Sequence, residues 1–208
     1  MNILLFGATG GTGRQVISQG IQAGHHITAF VRNPKSLQVK SKLLKVITGN
    51  ILSQKDVQEV VKGQDVVIST LGNKTSHALW ETNHTISDGV KNIISAMKKE
   101  KVRRLLFVAS FGVNEKIFLP EKLFIKVVLK NIFADIPLQE QRIKESGLDW
   151  TLVHPARLTT VLKIGKYHAQ EDLPIGIFSQ ISRAGVADFL LNNISNRSVI
   201  GKTITLSY

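Results

Sequence analysis

A glycine-rich run near the start of the chain has the residue types and spacing of a phosphate-binding turn. It follows the apolar residues 2–6 and opens an amphipathic stretch that begins near residue 12. Such glycines let the chain turn tightly, bring the backbone against a diphosphate and allow a helix to pack closely on a strand, while the helix N-terminus offers its N–H groups to the phosphates. This context within one βαβ unit predicts a dinucleotide site. Its predicted contacts are Gly7, Thr9, Gly10, Gly11, Thr12 and Gly13.

The residues after the second predicted strand indicate which dinucleotide fits. An NAD site usually carries an acid about 20 residues beyond the glycines, where it accepts from the ribose 2′-hydroxyl. This chain has Arg32 there, and residues 26–37 contain no acid. An acid would repel a 2′-phosphate, whereas arginine can pair with it. The sequence therefore favours NADP(H), with Arg32 and Lys35 as contacts.

Short β-branched runs alternate with longer amphipathic stretches along the chain. This pattern predicts an α/β fold, a single-domain Rossmann fold over residues 1–208 with a doubly wound, mostly parallel sheet of about seven strands. The predicted strands are Asn2–Phe6, His26–Val31, Leu43–Thr48, Asp65–Ser69, Arg103–Ala109, Trp150–His154 and Ser198–Leu206. The predicted helices are Thr12–Ala23, Gln54–Lys62, Ala78–Lys99, Glu121–Phe133, Gln139–Ser146 and Arg183–Asn193, with Ser53 and Ser182 as N-caps.

Two segments without clear periodicity follow the fifth and sixth predicted strands. They cover residues of about 111–135 and 157–181. Ligands of open α/β sheets bind outside the carboxyl ends of the strands. We therefore expect these segments to form the substrate loops.

The composition bounds the remaining function classes. The 208 residues include no cysteine, which excludes disulfides and thiolate chemistry, and the six histidines show no metal-ligand spacing, so no metal is expected. The net charge of +12 is spread along the chain without a nucleic-acid recognition motif, so a solvated basic surface is the simpler interpretation and no nucleic-acid partner is expected. No apolar run approaches the roughly 20 residues of a membrane span. With no signal peptide evident, a cytoplasmic location without membrane insertion is the default expectation.

Several motifs beyond the glycine run match a known family in order and spacing. They are Val31-Arg32-Asn33, Gly49-Asn50-Ile51, Ser69-Thr70-Leu71-Gly72, Lys91-Asn92-Ile93-Ile94-Ser95-Ala96-Met97, Lys144-Glu145-Ser146-Gly147-Leu148-Asp149-Trp150-Thr151 and Ile181-Ser182-Arg183-Ala184-Gly185-Val186-Ala187-Asp188-Phe189. Over nearly the whole chain the sequence resembles the atypical short-chain dehydrogenase/reductases of the NAD(P)H-binding, NmrA-like group. Within this group it is nearest the flavin reductase/biliverdin-IXβ reductase type.

The resemblance implies further contacts with the cofactor. The implied contacts are Asn50 and Ile51 at the adenine, Leu71 and Gly72 at the adenosine and diphosphate, and Ala109, Ser110, His154, Pro155 and Ala156 at the nicotinamide. Two positions depart from the family pattern. Asn50 replaces the usual aspartate, and His154 stands where many bacterial relatives have arginine; the histidine of the biliverdin/flavin reductase falls at Arg157.

The tyrosines indicate what kind of hydride acceptor suits the chain. Neither Tyr167 nor Tyr208 has a lysine four residues later, so the Tyr-x-x-x-Lys proton relay is absent. Carbonyl reduction needs an acid beside the acceptor, whereas a flavin can take its proton from solvent. The sequence therefore favours an NADPH-dependent reductase of a planar acceptor, such as a flavin, a quinone or a tetrapyrrole-like molecule.

Ser110 and His154 are the candidate catalytic residues for this chemistry, and Phe111, Phe118 and Arg157 are candidate substrate contacts. Phe111 and Phe118 could stack on a planar acceptor, and Arg157 could bind an anionic group on it. The alternative function is a non-catalytic NADP(H) sensor that acts through a protein partner. The sequence leaves open whether the protein is a monomer or a homodimer.

Overall fold

The computed structural model describes residues 1–72, 85–109, 135–162, 164–176 and 178–208. The strands in these ranges are β1 (Asn2–Phe6), β2 (His26–Val31), β3 (Leu44–Thr48), β4 (Val66–Ser69), β5 (Arg104–Val108), β6 (Asp149–Pro155), β7 (Arg157–Thr159), β8 (His168–Gln170), β9 (Gln180–Ser182) and β10 (Lys202–Ser207). The helices are α1 (Gly11–Gln22), α2 (Gln54–Val61), α3 (Thr85–Lys99), α4 (Ile136–Lys144) and α5 (Arg183–Asn192), with 3₁₀ turns at Pro34–Ser36 and Arg197–Val199.

Eight of the strands form one sheet in the order β3-β2-β1-β4-β5-β6-β10-β8. All neighbours pair in parallel except β8, which runs antiparallel to β10 at the edge. The strand order reverses between β1 and β4, which is the switch point where doubly wound folds bind their ligands. The predicted Rossmann fold is confirmed, with one strand more in the main sheet than expected.

Helices cover both faces of this sheet, and alternate strand residues belong to different cores. In β1, Ile3 and Leu5 are buried with residues of α1 and α5. Leu4 and Phe6 are instead buried with residues of α2, α3 and α4. Burial on both sides explains why the central strands are apolar along their whole length.

Most predicted element boundaries agree with the structure because the signals are local. The Ser53 side chain accepts from the Asp56 backbone N–H at 3.3 Å, and the Ser182 side chain accepts from that of Gly185 at 2.8 Å. Both predicted N-caps are thus confirmed. Helix α4 begins at Ile136, whereas the sequence predicted a start at Gln139. The structure includes Pro137 because proline is tolerated in the first turn of a helix, where a backbone N–H would have no intrahelical acceptor.

Two predictions about the C-terminal part were wrong in detail. The last strand begins at Lys202 instead of Ser198, because Asn196 caps a 3₁₀ turn by accepting from the Ser198 N–H at 3.0 Å. The segment 157–181 also contains β7 and β8 and the first residues of β9, which pairs in parallel with β7. Strands of three residues are too short to show the alternation that predicts a strand.

Parts of other predictions lie outside the described residues. These are the helix predicted over Glu121–Phe133, the beginning of the helix predicted over Ala78–Lys99, and nearly all of the substrate loop of about 111–135. Within the ranges that the structure describes, no helix is both long and apolar enough to cross a membrane.

Candidate cofactor site

The turn after β1 is held against the end of β4. Gly7 has a φ of +80°, and a Cβ there would lie 2.6 Å from the carbonyl carbon of Thr70. The Thr70 hydroxyl lies 3.2 Å from the carbonyl oxygens of both Phe6 and Gly7, to which it donates. Only glycine combines this left-handed conformation with so close a backbone approach. The predicted turn therefore has the geometry that its glycines indicated.

The first turn of α1 packs directly on this loop. A Cβ at Gly13 would lie 2.3 Å from the carbonyl oxygen of Gly7, so glycine is needed for the helix to approach the strand. Gly10 is the N-cap and supplies no side chain, and the first turn of α1 contains no acid. Among the described residues, no side chain caps this helix end. Its N–H groups and positive dipole end are therefore available to an anion.

Arg14 connects the glycine run to the turn after β2, and the sequence analysis missed it. Its Nε donates to the carbonyl of Thr9 at 3.1 Å, and its Nη2 donates to that of Ser36 at 2.6 Å. Arg32 and Lys35 are exposed in the same turn. Three cations thus lie beside the end of β2, where the 2′-phosphate of NADP(H) is expected. The signal available in the sequence was an arginine directly after the last glycine of the run.

The loop after β3 shows how asparagine replaces the usual aspartate of the family. The Asn50 side-chain oxygen accepts from the Leu52 N–H at 3.0 Å, as an aspartate could. The Asn50 N–H donates to Asp56 at 3.0 Å, and this bond, followed by the one from the Ser53 hydroxyl, lowers the pKa of Asp56. The carbonyl of Ile51 accepts from the Asn92 amide at 2.9 Å. This loop, in which the resemblance predicts the adenine contacts, is therefore fixed from α2 and α3.

The remaining residues expected beside the nucleotide lie at the carboxyl ends of the central strands. Leu71 and Gly72 follow Thr70 at the end of β4, next to the glycine turn, and Leu71 packs on the α2–α3 core. Ala109 is buried after β5 and donates its N–H to Val153 at 3.0 Å. Ser110, Phe111 and Phe118 lie outside the described residues. Their roles at the nicotinamide and the acceptor stay predictions.

His154 is buried at the end of β6 and faces α4. Because a carboxylate only accepts, His154 Nε2 donates to Glu140 Oε1, at 2.8 Å. The other carboxylate oxygen of Glu140 lies 3.1 Å from the Lys144 ammonium. Burial raises the pKa of Glu140, but the hydrogen bond and charge of His154, followed by those of Lys144, lower it more strongly, so its net shift is downward. Glu140 was not predicted as a site residue because nothing in its own segment marks a buried acid.

The hydrogen bond to Glu140 gives His154 a structural contact, and its role at the nicotinamide stays a prediction. One nitrogen of the ring is committed to α4, which is how a structural histidine is held in a core. The following residues are placed by the neighbouring strands: the Ala156 N–H donates to Leu206 at 2.9 Å, and the Arg157 side chain donates to Gln180 at 3.1 Å. Arg157 is exposed, while Pro155 and Ala156 are buried. Their contacts with a nicotinamide and an acceptor stay predictions.

A third residue that was not predicted from the sequence, Arg183, lies over the start of α1. A Cβ at Gly11 would lie 2.4 Å from Cδ and 2.7 Å from Nε of Arg183, the first residue of α5. The arginine stem therefore crosses the helix N-terminus at van der Waals distance. As for metals, the described residues hold no group of three or more histidine, aspartate and glutamate side chains that could bind one.

The doubly wound sheet and the glycine turn between β1 and α1 define the class of NAD(P)-binding Rossmann proteins. Residues 7–197 match the family described as NAD(P)H-binding, and the chain belongs to that family. The glycine cradle and the uncapped end of α1 fit a dinucleotide diphosphate, in agreement with this membership.

Individual relatives match the sequence over most of the chain. The chain is 25% identical to the photosystem II assembly factor Ycf39 of Synechocystis, with 98% of this chain and 61% of that protein covered. It is 25% identical to the uncharacterized sugar epimerase YhfK of Bacillus subtilis, with 95% and 92% covered. It spans between 44% and 61% of the length of three curated relatives that it matches, Ycf39 among them.

A solved structure with the same fold is ChuY, an anaerobilin reductase of Escherichia coli O157:H7. It matches with a TM-score of 0.79 at 18% identity, and the match covers 99% of this chain and 96% of ChuY. At this identity the likeness shows the fold alone.

Proposed function

We propose that this protein is a reductase that uses NADPH to reduce a flavin-like or other conjugated planar acceptor. The observation that carries the cofactor preference is a group of three cations beside the uncapped end of α1: Arg14 on α1, and Arg32 and Lys35 in the turn after β2. No residue from 26 to 37 is an acid that could accept from a ribose 2′-hydroxyl. A 2′-phosphate would pair with these cations, so NADPH should bind more tightly than NADH.

The proposed class of acceptor rests on the missing tyrosine–lysine proton relay and on the segments that follow the carboxyl ends of β5 and β6. Bound NADPH supplies the hydride, and the protein orients the two rings and excludes water. No tyrosine of the sequence has the spacing of the short-chain dehydrogenase proton relay. ChuY, which has the same fold, reduces an anaerobilin, and this supports a conjugated acceptor. We assign acceptor contacts to the segments 111–135 and 157–181, with Ser110 and His154 at the nicotinamide.

The cofactor preference is tested by reversing the charge of one residue. Arg32→Glu places an acid where NAD sites carry one, so the affinity for NADPH should fall on the order of tenfold or more while that for NADH stays equal or rises. Lys40→Glu is the matched control, since Lys40 is also exposed but lies beyond the turn. If Arg32→Glu lowers the affinity for NADPH and NADH equally, or changes neither affinity, the assignment of Arg32 to the 2′-phosphate is wrong.

The acceptor is tested by following NADPH oxidation by the purified protein with FMN, FAD, a quinone and biliverdin in turn. Saturable turnover with one of these, faster with NADPH than with NADH, is the expected result. Tight NADPH binding without turnover on any of them would contradict the reductase proposal. It would favour the second function considered, an NADP(H) sensor that acts through a protein partner.

A further inference from the structure

Arg183 is fixed at the junction between β9 and α5. The preceding residue, Ser182, caps α5 by accepting from the Gly185 N–H at 2.8 Å, and its hydroxyl also lies 2.8 Å from that of Tyr208. The Tyr208 N–H donates to the carbonyl of Gln180 at 3.0 Å. These contacts hold the backbone on the N-terminal side of Arg183. The start of its side chain is therefore set by the fold.

The side chain of Arg183 runs from this junction across the first residue of α1. A side chain at position 11 would meet Cδ and Nε of Arg183, so the arginine can keep this course only while residue 11 is glycine. Glycine at this position thus has a role beyond the turn itself, because it lets the arginine reach over the helix N-terminus. The extensive packing of α1 on α5 brings the two together, although 172 residues separate them in the chain.

The guanidinium of Arg183 lacks a partner among the residues that the structure describes. Several other arginines have partners: Arg103 pairs with Asp149, Arg142 with Asp88, and Arg104 donates to four acceptors. Arg183 is partly buried, and it lies beside the positive end of the α1 dipole, which repels a cation. An anion bound at this point would accept from up to five guanidinium N–H groups and would offset the repulsion.

We propose that Arg183 binds the diphosphate of NAD(P)H, together with the N–H groups in the first turn of α1. The diphosphate is the group that the glycine turn receives, and Gly11 lies at that turn. The cations of the 2′-phosphate site face the end of β2: Arg32 and Lys35 lie in the turn after it, and the Arg14 side chain donates to the Ser36 carbonyl of that turn. Arg183 therefore contributes equally to NADPH and NADH. This inference rests on the dinucleotide binding of the family and does not depend on reductase activity.

The experiment compares Arg183→Met with Arg197→Met by equilibrium titration. Methionine keeps an apolar stem and removes the charge, and Arg197 is an exposed arginine outside the site. Each variant is titrated with NADPH, NADH and adenosine 2′-monophosphate, which lacks the diphosphate. Arg183→Met should weaken both dinucleotides to a similar extent, by about 10- to 100-fold for a lost charge-assisted contact. It should leave adenosine 2′-monophosphate within about twofold of the unmodified protein, as Arg197→Met should for all three ligands.

Two results would overturn the proposal. Unchanged dinucleotide affinities in Arg183→Met would show that the side chain only packs on Gly11. An equal loss for adenosine 2′-monophosphate would show that it acts through the fold or at the 2′-phosphate. If Arg183→Met fails to fold by circular dichroism, Arg183→Lys replaces it, and the expected loss is then smaller but again equal for NADPH and NADH. Because binding alone is measured, failure of the reductase proposal would leave this result unaffected.

Discussion

Removing His154 should destabilise the protein strongly because its buried partner would lose a donor. Glu140 is 2% exposed, and His154→Met would leave its carboxylate with only Lys144, whose side chain is 42% exposed. Leaving a buried carboxylate without the group that compensates its charge costs about 3–5 kcal/mol. The remaining lysine favours the lower end, so we expect a loss of about 3 kcal/mol. For a chain of this length that corresponds to a fall in Tm of roughly 6–12 °C.

The assay is urea unfolding of three variants followed by circular dichroism. Glu140→Leu/His154→Met removes both partners, and it should recover much of the stability that His154→Met loses, because no uncompensated charge stays buried. A fully stable His154→Met variant would refute this reasoning. So would a double variant whose loss equals the sum of the losses in His154→Met and Glu140→Leu.

The pH dependence of the same pair has a defined sign. The pKa of Glu140 lies below its ordinary value of 4.5, so ionised Glu140 stabilises the folded state above that value. This stabilisation should be lost as the pH falls through the lowered pKa. Glu140→Gln should therefore be less stable than the unmodified protein at neutral pH and approach it in acid. A difference that does not change with pH would contradict an ionised Glu140.

Three further predictions concern other parts of the fold. Gly13→Ala should destabilise the protein by about 1–3 kcal/mol and weaken NADPH binding, because the new Cβ would lie 2.3 Å from the carbonyl oxygen of Gly7. The control is Gly176→Ala, whose Cβ would meet nothing within 4 Å. A Gly13→Ala variant with unchanged stability and unchanged NADPH affinity would contradict this prediction. Ser182→Ala should lose about 1 kcal/mol of unfolding free energy, measured in urea, and no change would mean that water caps α5 equally well. Arg104→Met should lose roughly 2–3 kcal/mol by the same measurement, because it removes the arginine donor from the buried carbonyl of Ile194 and leaves that of Asn193 with the Asn196 N–H alone; an unchanged midpoint would contradict this.

Local signals predicted the glycine turn, both serine caps and the central strands. Each depends on neighbours within a few residues, such as the Ser53 hydroxyl and the Asp56 N–H. The edge strand β8 was missed because His168–Gln170 is exposed throughout and carries no apolar pattern. Its place in the sheet comes from pairing with β10, a long-range contact that periodicity does not report.

The contacts of single site residues were harder to predict than their positions. Alternation along β6 could indicate that His154 and Leu152 face the same side of the sheet. It could not indicate that α4 brings a carboxylate to that side. Arg183 lies within one of the motifs that match the family, yet only the packing of α5 on α1 shows that its side chain crosses Gly11. The contacts of His154 with Glu140 and of Arg183 with Gly11 join elements that are separate along the chain, so local sequence patterns do not report them.

The net charge of +12 includes a local group of cations that composition alone did not reveal. Among the described residues, Arg103 pairs with Asp149 and Lys202 pairs with Glu171, while other cations, such as Lys40 and Arg197, are exposed at the surface. Arg14, Arg32 and Lys35 lie beside the end of β2, and the first turn of α1 contains no acid. Because these cations lie where a dinucleotide would bring its phosphates, an anionic cofactor explains the positive charge at this site without invoking nucleic acid.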